Sequence, residues 1–215
     1  MTATTTRLRG RLLLYVLSSL LLAASIAAGP AWTAQAAAGQ DATGQRSAAS
    51  DFPVAFGGPF NLVDQNGKPR SDRDFRGRFL LIYFGYTTCP DICPTNLQIM
   101  ADALDLLGDK AARVQPLFIT VDPARDTTER LKDYVGQFHP RLIGLTGSEA
   151  QVAAVAKAYR VHRSKVVLAD AAPEDYLVNH SSITFLMGPD GGFVTLFPHD
   201  TQAAAMAAAI EKHLN

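Results

Sequence analysis

Tyr83-Phe84-Gly85-Tyr86-Thr87-Thr88-Cys89-Pro90-Asp91-Ile92-Cys93-Pro94 holds both cysteines of this 215-residue chain. They lie four apart, after the apolar run Phe79–Phe84 and before a segment with helical spacing. With Cys93 opening a helix and Cys89 in the preceding turn, both sulfurs face one point; an i, i+4 pair on one helical face gives the same result. Two thiols meeting at a strand-to-helix turn can close a disulfide, hold a soft metal ion or attack another sulfur.

Phe79–Phe84 is apolar throughout, as a strand buried on both faces should be. The residues Leu97, Met100, Ala101, Leu104 and Leu107 predict a helix over Thr95–Leu107, stopped at Gly108. Val114–Val121 is a second buried strand, ending in Val121-Asp122-Pro123. Asp126-Thr127-Thr128-Glu129 and Ser148-Glu149-Ala150-Gln151 have the spacing of capping boxes, each opening a helix. Leu142–Leu145 between those helices is a short strand. Arg160–Glu174 reads as irregular. Two hairpins flank this core. One spans 60–70 around Asn66-Gly67, and the other spans 183–197 around Pro189-Asp190-Gly191-Gly192. An Ala-rich helix over Thr201–Leu214 closes the chain. Strands alternating with helices imply a parallel core, and the closing hairpin adds antiparallel strands. The fold class is therefore α/β and thioredoxin-like: a mixed central sheet flanked by helices, an N-terminal β-hairpin, and two cysteines where the first core strand meets its helix.

Composition narrows the function. The chain is 47% hydrophobic and 19% charged, enough for a full core. Twenty basic residues balance 20 acidic ones, and without a basic stripe nucleic acid is not the partner. Two cysteines cannot build a disulfide scaffold or a cysteine-rich zinc site. Arg7, Arg9 and Arg11 precede the apolar run Leu12–Ala28, followed by Gly29-Pro30. This reads as a signal peptide or membrane anchor over 1–30. Residues 31–50 are an Ala/Gly-rich linker, and 51–215 form the folded domain. Either reading of the N-terminus places the domain outside the cytoplasm, where disulfides persist. The short N-terminus favours the bacterial periplasm, tethered to the inner membrane.

Thioredoxin-type oxidoreductases keep two residues between their cysteines; here there are three, Pro90, Asp91 and Ile92. The longer loop leaves room for a metal. Two thiolates suit copper(I), and an added nitrogen suits copper(II). Of the five histidines, His213 and His139 sit at helix ends. His162 lies among Arg160, Arg163 and Lys165, and His199 precedes the last helix. His180 directly precedes a core strand, in a loop that a thioredoxin-like sheet puts beside the cysteines.

Cys89-Pro90-Asp91-Ile92-Cys93-Pro94, Val121-Asp122-Pro123-Ala124-Arg125-Asp126-Thr127 and Asn179-His180-Ser181-Ser182 resemble, in order, the three motifs of the Sco/SenC family. These are copper-binding, thioredoxin-fold proteins that help assemble the copper A centre in subunit II of cytochrome c oxidase. The resemblance runs from about Phe52 to the C-terminus. It implies copper ligation by Cys89, Cys93 and His180, and partners in oxidase subunit II and another copper chaperone. It also implies a role for Asp122 near the site or at a partner; a strand-end turn before Pro123 explains the same residue. Asn179 stands where the family usually has Asp, so the loop keeps a hydrogen-bonding group and loses a charge. The alternative function is extracytoplasmic thiol–disulfide exchange, with Cys89 attacking and Cys93 resolving through a reversible, redox-active disulfide. A peroxidatic Cys89 and an inert structural disulfide are the remaining readings.

Overall fold

The computed structural model describes residues 56–167, 172 and 175–215. The signal or anchor expected over 1–30, the linker 31–50 and the first residues of the domain lie outside them. Among the described residues no helix is long and apolar enough to cross a membrane.

The two apolar runs become adjacent parallel strands. β3 (Phe79–Gly85) and β4 (Val114–Thr120) are buried at every position, as strands covered on both faces must be. Around them stand β1 (Asn61–Asp64), β2 (Pro69–Ser71), β5 (Ile143–Thr146), β8 (Ile183–Met187) and β9 (Phe193–Pro198). The order is β2-β1-β5-β4-β3-β8-β9. β5, β4 and β3 run parallel, while β1, β2, β8 and β9 pair antiparallel with their neighbours. The helices are α1 (Ile92–Leu107), α2 (Thr128–Val135), α3 (Glu149–Ala158) and α4 (Ala203–Leu214). α1 and α4 pack together, and α2 lies against β5. This is the mixed, thioredoxin-like sheet that the sequence pattern predicts. The first hairpin turns at Gly67, whose φ of 78° is left-handed, and a short 3-10 turn follows over Asp72–Phe75.

Four expectations change. α1 starts at Ile92 rather than Thr95, so Cys93 lies in its first turn and Pro94 sits where a missing N–H leaves no bond unmade. α2 is capped by Thr127, whose hydroxyl accepts the Arg130 amide, and not by Asp126; the Ser148 box forms as expected. α4 starts at Ala203 rather than Thr201. The stretch expected to be irregular contains β6 (Arg163–Val167), which pairs antiparallel with β7 (Tyr176–His180) in a separate two-stranded sheet. Only Val166 and Val167 of β6 are apolar and both are exposed, so the burial pattern that flags a strand is missing.

Gly85 ends β3 under the cysteine turn. A Cβ there would stand 2.9 Å from Cys93 Sγ, 2.9 Å from a ring carbon of Phe118 and 3.0 Å from one of Tyr83. The sulfur reaches its position because this residue has no side chain. Gly85→Ala should lower stability by about 1–3 kcal/mol through overpacking, read by urea unfolding; an unchanged midpoint would show that the sulfur has space to retreat.

Candidate metal and thiol centre

β3 delivers the chain to Cys89 and the first turn of α1 carries Cys93, while β7 carries His180. Donor atoms of these three residues all lie within 4.8 Å of one another, the one such His/Cys/Asp/Glu group among the described residues. Cys93 is buried and Cys89 half-buried, both as free thiols. His180 Nε2 is 3.4 Å from Cys93 Sγ. Its Nδ1 lies 3.2 Å from the Ser181 carbonyl. A carbonyl only accepts, so the ring proton sits on Nδ1 and the Nε2 lone pair faces the sulfurs. The rings of Tyr83 and Tyr86 stand nearly perpendicular to the imidazole, with centroids at 6.2 and 5.8 Å, and Tyr83 Oη donates to Cys93 Sγ at 3.9 Å.

The two sulfurs are electrostatically unlike. The Cys93 thiol donates to Cys89 and holds the Cys89 thiol well below its ordinary value; burial opposes this, and the amides of Asp91 and Cys93 add to it. Cys93 moves up, because it is the donor in that bond and because it is buried. The pair therefore carries its first negative charge on Cys89, at the N-terminus of α1.

Asp122 is brought near but not into this cluster. Its carboxylate accepts from Tyr176 Oη at 2.8 Å and Arg125 Nε at 2.5 Å. Arg125 also donates to the Tyr176 carbonyl at 2.9 Å and lies over the rings of Tyr176 and Tyr86. Asp122 thus fastens the start of β7 to the end of β4, and reaches His180 only through Arg125 and Tyr86. Asn179 is exposed at the rim of a recess of ≈ 340 Å³, one strand position from His180 and so on the opposite face. His139, His162, His199 and His213 join no such cluster.

Asp126 has a role that the sequence reading missed. It is fully buried and accepts from the Thr87 hydroxyl at 2.6 Å, the Thr87 amide at 3.2 Å and the Thr120 hydroxyl at 2.5 Å. Thr87 lies two residues before Cys89, so Asp126 holds the cysteine turn onto the end of β4. Its position before Thr127-Thr128-Glu129 fits a helix cap equally well, which concealed this.

These features define a protein of the thioredoxin-like fold with a thiol–thiol–imidazole centre at its first strand-to-helix turn. The SCO1/SenC family model matches residues 48–215, and the chain belongs to that family. It is 43% identical over 161 residues to the mouse mitochondrial SCO1 homologue, covering 74% of this chain and 56% of that one. The chain spans about half the length of the curated relatives it matches. Bradyrhizobium japonicum ScoI with copper bound is 42% identical at a TM-score of 0.68, over 74% of this chain and 99% of that one. Arabidopsis thaliana ScoI with copper bound is 40% identical at a TM-score of 0.70, over 74% and 98%.

Two measurements test this centre. Iodoacetamide should modify Cys89 before Cys93 in the reduced, metal-free protein and keep doing so at pH 6, where an ordinary thiol is protonated; equal labelling by peptide mapping would refute the asymmetry. Burial, against hydrogen bonds from Thr120 and Thr87, raises the Asp126 carboxyl above its ordinary value. A raised folded-state value means stability present below the unfolded value, near 3.8, and lost as pH rises through the folded one. Urea unfolding of Asp126→Asn across that range should lack this downward component; matching slopes in both proteins would exclude it.

Proposed function

We propose that this chain is a copper carrier in the assembly of cytochrome c oxidase, holding the ion as cargo on the sulfurs of Cys89 and Cys93 and on Nε2 of His180. One observation carries the reading: three soft or borderline donors lie within 4.8 Å, with the imidazole lone pair already aimed at the sulfurs. Metal–sulfur bonds of ~2.3 Å and metal–nitrogen bonds of ~2.0 Å in a trigonal site separate donors by about 3.5–4.0 Å, so the fit needs little movement. Two thiolates and one imidazole suit copper in either oxidation state. Asp122 and Asn179 stand at the edges, the first orienting β7 and the second open to a partner. The recipient is the copper A site of oxidase subunit II and the donor another copper chaperone. The N-terminal segment tethers the domain on the periplasmic side of a bacterial inner membrane.

To test this, the reduced protein is loaded with copper(I), affinity is measured against a chelator, and X-ray absorption reports sulfur and nitrogen donors. His180→Ala should weaken binding at least about tenfold, or ~1.4 kcal/mol, and remove the nitrogen donor. Equal affinity would take His180 out of the site.

The unequal sulfurs favour a second activity at the same place. The Cys89 thiolate attacks a partner's disulfide, releasing one partner sulfur as thiolate. Cys93 gives up its proton and attacks the mixed disulfide, freeing the second. The partner is reduced and the Cys89–Cys93 pair oxidised. Copper-free reduction of a disulfide-closed copper A peptide should depend wholly on Cys89; full activity in Cys89→Ser would end this reading.

A further inference from the structure

The two-stranded sheet beside the thiols has one covered edge and one open edge. Ser181 N donates to the His162 carbonyl at 3.2 Å, and these residues stand opposite each other in the register that pairs Arg163 with His180. Directly opposed residues alternate between hydrogen-bonded and non-bonded pairs. Ser164 and Val166 therefore bond β7, while Arg163, Lys165 and Val167 turn their N–H and C=O groups outward. On β7 two of the corresponding outward groups are occupied, the Tyr176 carbonyl by Arg125 and the Val178 amide by the Tyr86 hydroxyl. On β6, among the described residues, they meet no partner.

Three of the four large exposed apolar residues described sit around this edge: Val166 at 40%, Val167 at 58% and Leu177 at 41% exposure. Val166 and Leu177 face each other across the hairpin and line the recess that also holds Cys89 and His180. A second groove, of ≈ 580 Å³, lies between β6 and α3. Its charged residues are Lys157, Arg163 and Lys165 against Glu149 alone, which pairs with Arg163. The outer strands of the main sheet offer less: β2 has three residues and begins with Pro69, while β9 carries a register shift near its start, between Phe193 and Thr195, and ends in Pro198.

We infer that the outer edge of β6 receives an extended segment of the client polypeptide as an added strand. Main-chain bonds to Arg163, Lys165 and Val167 fix its register. Apolar side chains on one face of the segment cover Val166 and Leu177, and acidic side chains on the other meet Lys157 and Lys165. A residue of the segment at the recess then lies beside Cys89. This rests on the proposed carrier reading, since it names how the client is held at that site.

The test removes both copper and thiol chemistry, so its failure is distinct from failure of copper binding. A labelled eleven-residue peptide alternating valine and glutamate, with serine at its centre, is titrated into the reduced, metal-free full chain. Amide exchange is followed by NMR. Binding should protect the Arg163, Lys165 and Val167 amides. N-methylation of alternate peptide amides, in the phase that faces β6, should weaken binding at least tenfold. Lys165→Ala should weaken it a few-fold, and Lys165→Pro, which also deletes one outward N–H without touching a β6–β7 bond, at least tenfold more than Lys165→Ala. No binding, binding indifferent to N-methylation in either phase, or protection at β2 or β9 would overturn the inference. If Lys165→Pro fails to fold, the methylated peptides still decide it.

Discussion

The antiparallel pairing of β3 with β8 is the constraint on which the centre depends. Tyr83 stands opposite Thr184, so the chain leaving β3 toward Cys89 and the chain entering β8 from His180 meet at one end of the sheet. Sulfur and imidazole are separated by 87 residues and still close to 3.4 Å. Burial of every β3 side chain makes that pairing costly to slip, because a one-residue shift would exchange the side chains of two close-packed faces and leave neither fitting its neighbours. The hydrophobic content of Phe79–Phe84 is thus the source of precision in a polar site made of residues outside the strand.

Around that pairing the site is held by groups that never touch the three donors. Asp126 fixes Thr87 and hence the cysteine turn, Asp122 and Arg125 fix the start of β7, and Gly85 leaves room for Cys93. Each is buried or confined, so each acts through position. The two acids sit in one short stretch of sequence, yet one faces the cysteine turn and the other faces the histidine strand. The loop after β4 therefore sets both sides of the gap between sulfur and nitrogen.

The parts legible in the sequence are those with a strong local or periodic signal. Two uniformly apolar strands, an Asn-Gly turn and a Ser148 capping box announce themselves, and the cysteine pair stands out by being alone. His180 stands out among the histidines by its place before a core strand, and its neighbourhood follows from topology. What stayed hidden has a common cause. β6 is a polar, two-residue-apolar strand stabilised by its partner, so nothing in its own pattern marks it. Asp126 satisfies a helix-capping pattern at the same position where it serves a tertiary network. Gly85 follows the apolar run Phe79–Phe84 with no signal of its own, and only the approach of Cys93, Phe118 and Tyr83 explains why no larger residue stands there.

The hairpin of β6 and β7 is fastened to the rest of the domain at both ends of β7, at Tyr176 through Asp122 and Arg125 and beyond His180 through the entry to β8. The outward side chains of β6 take no part in these fastenings, and descendants of this chain are free to diversify whom they meet there while the ion-holding atoms stay where they are.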